Sequence, residues 1–73
     1  MYITICDVPT EREEKLTEIG GEIKRSWNGL SDIQFNSDDF GVSVRDDYVK
    51  LRNRKLHKTA VICEDEFTNV IIN

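Results

Sequence analysis

The chain has 73 residues, with 14 Asp and Glu against 10 Lys and Arg, and a formal net charge of −4. A chain of this length makes one domain, 1–73, and buries only about 60% of its unfolded surface, which leaves no room for a deep substrate cleft and argues against a free-standing enzyme. No apolar run reaches the ~18 residues of a membrane span, and the N-terminal MYITICDVP lacks the basic start of a signal peptide, so a cytoplasmic chain is expected. The start at Met1, with no processing site, reads as a complete small gene product.

Tyr2 to Val8 is rich in β-branched residues and ends at Pro9, which predicts a strand. Thr10, with Glu13 three positions on, is the pattern of a capping box. The predicted helix runs from about Glu11 to Trp27, with Leu16, Ile19, Ile23 and Trp27 as its apolar stripe. Trp27 is then expected in the core or at its rim. Gly20-Gly21 interrupts the run, to allow close packing or a kink, and Asn28-Gly29 reads as the helix stop.

Beyond the helix the apolar period changes to two. Ile33 and Phe35, then Phe40, Val42 and Val44, then Val49 and Leu51 alternate with polar residues, separated by turns at 37–39 and 46–47. Tyr48–Leu56 has two readings. The alternation favours a strand, whereas Asp46 or Asp47 capping a short helix would align Val49, Arg52 and Leu56. A turn at 53–55, a strand from His57 to Cys63, a turn at 64–66 and a last short strand at Val70–Ile72 complete the chain. Phe67 is either the anchor of that strand or an exposed interface residue. The expected fold is α+β, with one helix packed on a mostly antiparallel sheet in the order β-α-β-β-β(-β).

The charge is unevenly divided. The run Lys50–Lys58, KLRNRKLHK, holds half of all Lys and Arg, and the remainder of the chain carries about −9 by count. On the predicted helix, Glu11, Glu14, Glu18 and Glu22 fall within one sector of about 80°, rising ~6 Å per four residues, a spacing comparable to that of phosphates along a nucleic-acid strand. With Asp32, the turn pairs Asp38-Asp39 and Asp46-Asp47, and Glu64, Asp65 and Glu66, they form an extended negative surface. Lys15 and Arg25 partly neutralise the helical stripe. The bland alternative is a solvated helix face with polar turns. The basic run offers the opposite surface: Lys50, Arg52 and Arg54 share one face of a strand, with Lys55 and Lys58 nearby, and such a ribbon tracks a phosphate backbone. Only Tyr48 supplies an aromatic ring close to it. Pairing of this ribbon with the acidic turns, within one chain or between two copies, is the competing reading. An acidic pI of 4.8 also argues against nucleic acid as the main partner.

No catalytic or metal signature is present. His57 is the only histidine, and no Ser, Cys or Asp is spaced to form a triad with it. The aspartate pairs match turn chemistry and no calcium loop. Cys6 and Cys63 read as reduced strand residues, with a bridge between the first strand and a late one as the alternative. No cofactor is expected.

In its short self-contained layout, β-α-β start, many acids and absent active site, the chain resembles the small acidic proteins that phages make to disable host machinery. That resemblance implies a protein-binding inhibitor of DNA-mimic type. Its acidic residues would occupy the surface of a basic host protein such as a nucleoid protein, polymerase or nuclease. The Lys50–Lys58 run departs from a purely acidic mimic and implies a second contact or a homodimer.

Overall fold

The computed structural model describes residues 1–73. It contains β1 (Tyr2–Pro9), α1 (Thr10–Glu18), β2 (Glu22–Trp27), β3 (Leu30–Asn36), β4 (Phe40–Val44), β5 (Tyr48–Asn53), β6 (Lys58–Cys63), a 3-10 turn (Glu64–Glu66) and β7 (Asn69–Ile72). The strands form two antiparallel sheets rather than one, ordered β2-β3-β1-β7 and β4-β5-β6. The fold is α+β, as the alternating and helical periods predict, and Tyr48–Asn53 is a strand.

One core cluster joins the two sheets and the helix. Ile5 and Val8 of β1, Ile33 and Phe35 of β3, Leu16 and Ile19 at the helix end, Phe40, Val49 and Leu51 of the second sheet, and Ile62 of β6 are its buried members. Phe67 packs partly buried against it, so it is an anchor beside the last strand. In β1 the inward positions are Ile3, Ile5 and Val8, a step of two and then of three. Asp7 takes φ 57 where the pairing with β3 shifts register, and this bulge turns Val8 inward.

The helix is half the expected length. It closes in a Schellman arrangement, with Gly20 at φ 111 donating to Thr17 O (3.0 Å) and Gly21 donating to Leu16 O (2.9 Å). Gly20-Gly21 is therefore the helix stop and not an interruption. A Cβ on Gly21 would lie 2.8 Å from Ile33 Cγ2, Leu16 O and Phe35 Cε2, so the chain turns here hard against the core. The capping box does not form. Thr10 is already helical and no side chain caps the N-terminus, while the Glu13 carboxylate accepts the hydroxyl of buried Ser31 (2.6 Å).

The chain returns at once as β2. Asn28 (φ 56) and Gly29 (φ 79) make the two-residue turn of a β2–β3 hairpin, with Trp27 paired to Leu30. Ile23 and Trp27 therefore leave the helical stripe. Trp27 is 71% exposed, outside the core, with the Arg25 guanidinium 5.9 Å from its ring centroid.

Candidate functional site

Strand alternation divides the second sheet into two faces. Val49, Leu51 and Asn53 of β5 point into the core, together with Phe40 and Val42 of β4 and Ala60 and Ile62 of β6. The intervening residues form the outer face: Gly41 and Ser43 on β4, Tyr48, Lys50 and Arg52 on β5, and Thr59, Val61 and Cys63 on β6. Arg54 continues the line past the end of β5 and lies over Gly41, within 3.9 Å of where its Cβ would stand. None of these strand residues is itself acidic, and the neutral ones are mostly small; the carboxylates of Asp65 and Glu66 reach within 4.8 Å of the Cys63 thiol at one end of the face.

The cations here are largely unspent. The four ion pairs of the molecule are Arg12–Glu66, Lys24–Glu22, Arg25–Asp32 and Lys55–Asp39, and none involves Lys50, Arg52 or Arg54. Arg54 instead donates to the backbone carbonyls of Ser37 (3.3 Å) and Asp38 (3.4 Å), which keeps its full charge while fixing its position. Of the basic run, Lys55 alone is matched to an acidic turn, at 3.1 Å from Asp39. Lys58 does not share the outer face. Its partner across the ladder is the inward-facing Asn53, and it lies beside α1, in a groove that also holds Arg12 and Lys15.

The acidic surface is less ordered than the sequence suggests. Glu11, Glu14 and Glu18 remain exposed on α1, but Glu22 sits on β2, where it pairs with Lys24 at 3.2 Å. The four-carboxylate stripe thus shrinks to three on a helix of nine residues. Asp39 is paired with Lys55, and Glu66 with Arg12 at 2.9 Å. Asp32 accepts the Asp7 N–H (3.0 Å) and faces Arg25 (3.6 Å). Asp38, Asp46, Asp47, Glu64 and Asp65 are exposed. Asp47 O accepts from Glu64 N (3.0 Å), so these last four acids gather at one corner, beyond the end of the basic face.

Both cysteines are free thiols. The pKa of Cys6 is raised by burial and then by the charges of Asp32 and Asp7. That of Cys63 is raised by local loss of solvent, then by Glu66 and Asp65. Cys63, Asp65 and Glu66 each bring a ligand atom within 4.8 Å of the others. Both Glu66 oxygens are already engaged, Oε1 by the Cys63 N–H and Oε2 by Arg12, and the cluster reads as the cap of the 3-10 turn.

Sequence reasoning missed Arg12 and Lys15 as neighbours of the basic run. They stand on α1, and only the tertiary fold lays α1 beside β6. No helix is long and apolar enough to cross a membrane. Comparison with protein families, curated proteins and solved structures finds no match. Fold and surface define a small α+β protein with two antiparallel sheets, an open basic sheet face and a separate acidic corner.

Proposed function

We propose that the protein binds a single nucleic-acid strand on the outer face of the β4-β5-β6 sheet. The observation that carries this reading is the row of Lys50, Arg52 and Arg54 on one sheet face, none of them in an ion pair. Cations left unpaired side by side create a positive potential that attracts an external anion. Alternate residues on a strand stand roughly 6.5–7 Å apart, a spacing on which successive phosphates of an extended strand can register. Tyr48, half-buried on the same face, supplies an aromatic ring on which a base could stack. The net charge of −4 weakens long-range attraction and confines binding to low and moderate salt.

Fluorescence anisotropy with labelled oligonucleotides at low ionic strength tests this. Binding is expected for single-stranded RNA or DNA, with a log–log salt slope of about −2 for three phosphate contacts. Lys50→Glu plus Arg52→Glu should remove it. No binding at high micromolar protein would end the reading.

A second reading follows the acids. Glu11, Glu14 and Glu18 are exposed and in no ion pair, which supports an inhibitor presenting a DNA-like negative surface to a basic host protein. In that case Glu14→Lys plus Glu18→Lys abolishes capture of a basic DNA-binding protein from host lysate, and Lys50→Glu plus Arg52→Glu leaves it intact. Capture unchanged by the helix variant would discard the acidic helix as the site.

A further inference from the structure

A groove of about 480 Å³ opens between α1 and the outer edge of β6. Its lining holds Arg12, Lys15 and Lys58 against one carboxylate, Glu18, with Ile19 and Ala60 among its apolar members. The volume is that of a small-ligand site, roughly 300–1,000 Å³. Arg12 is committed to the fold, its Nη2 donating to Val61 O (2.8 Å) and its Nε lying 2.9 Å from Glu66. Lys15, on the helix wall, and Lys58, on the strand wall, are in no ion pair.

The chemistry of the walls selects an anion over a peptide. An extended peptide adding to β6 would need the outward backbone groups of that strand. Val61 O already accepts from Arg12, and the Cys63 N–H donates to Glu66 Oε1 (3.1 Å). An anion between Lys15 and Lys58 displaces neither bond. The groove is also continuous with the basic face. Thr59 and Val61 line it, and they are the direct cross-strand partners of Arg52 and Lys50.

We propose that this groove is a phosphomonoester site, which takes the terminal phosphate of a nucleic-acid strand lying on the sheet face, or a free nucleoside monophosphate by the same chemistry. A monoester carries about −1.5 to −2 at neutral pH and three acceptor oxygens, which suits two ammonium groups better than a singly charged diester does. The strand arm rests on the nucleic-acid reading above, and the nucleotide arm stands without it.

Two measurements separate these arms. In the first, isotope-labelled protein is titrated with adenosine 5′-monophosphate and followed by amide chemical shifts. Saturable shifts at Lys15, Thr59 and Val61 are expected, lost in Lys15→Ala plus Lys58→Ala and strengthened in Glu18→Gln. In the second, 5′-phosphorylated and 5′-hydroxyl oligonucleotides are compared by anisotropy. The phosphate should tighten binding about tenfold, as one charge-assisted hydrogen bond can supply, and the double lysine variant should erase the difference while retaining the hydroxyl affinity. Groove shifts with nucleotide but no oligonucleotide binding would support the groove and overturn the strand face. Equal binding of both oligonucleotides with no groove shifts would overturn the groove and leave the strand face standing.

Discussion

Asn53 links the core to the basic turn at 54–55 through one side chain. It is 7% exposed at the end of β5, where its Nδ2 donates to Ile19 O (2.7 Å) and its Oδ1 accepts from Lys55 N (2.9 Å) and Leu56 N (3.0 Å). The first bond satisfies a carbonyl left over at the C-terminus of α1, and the other two shape the turn that carries Arg54 and Lys55. Asn53→Ala strands all three partners, and leaving buried polar groups unmade costs about 1–3 kcal/mol each where water cannot reach them. A loss of about 2–4 kcal/mol in urea denaturation is expected, since the turn amides regain water on local fraying. Asn53→Asp should be as damaging, because it keeps the acceptor for the turn but sets a carboxylate against the Ile19 carbonyl. A loss below 0.5 kcal/mol in both variants, about the size of a surface substitution, would show that the turn is held by other contacts.

At the scale of elements, alternation and helical period behave differently as signals. β3, β4 and β5 were legible because Ile33/Phe35, Phe40/Val42 and Val49/Leu51 alternate with polar residues and truly face a core. The face shared by Lys50, Arg52 and Arg54 followed directly from that alternation. The helix end and β2 were misread because Ile23 and Trp27 fall at helical spacing from Leu16 and Ile19 by coincidence. β2 is exposed along its whole length, so no burial pattern marks it as a strand. The correct signals were local ones. A glycine just past the last helical residue, here Gly20 after Ile19, is the Schellman signature, and Asn-Gly is the strongest two-residue hairpin signal. Glu22 was placed on the acidic stripe by the same error. The groove was not legible at all, since the approach of α1 to β6 depends on Arg12 reaching Val61 and Glu66, contacts across 49 and 54 positions of sequence.

For the molecule as a whole, the proposed function makes the separation of charge a trade of stability for binding. Lys50, Arg52 and Arg54 face outward together, in no ion pair, and Asp46, Asp47, Glu64 and Asp65 gather at one corner, also in no ion pair. Two unit charges at ~6.7 Å in water repel by about 0.6 kcal/mol before screening, and salt reduces this further. Arg52 stands opposite Gly41 and Thr59, at a position where a β-branched residue packs well against the pleat. Arg52→Thr removes the central cation of the row and should raise stability by about 0.5 kcal/mol at low ionic strength, with the gain shrinking as salt is added. The same substitution should weaken oligonucleotide binding several-fold and flatten its salt slope by about 0.7, the contribution of one phosphate contact. Opposite signs for stability and binding in one variant are what a face kept for an external anion produces. If Arg52→Thr instead lowers stability at every salt concentration and leaves binding unchanged, Arg52 serves the fold through its aliphatic stem, and the basic face loses its functional reading.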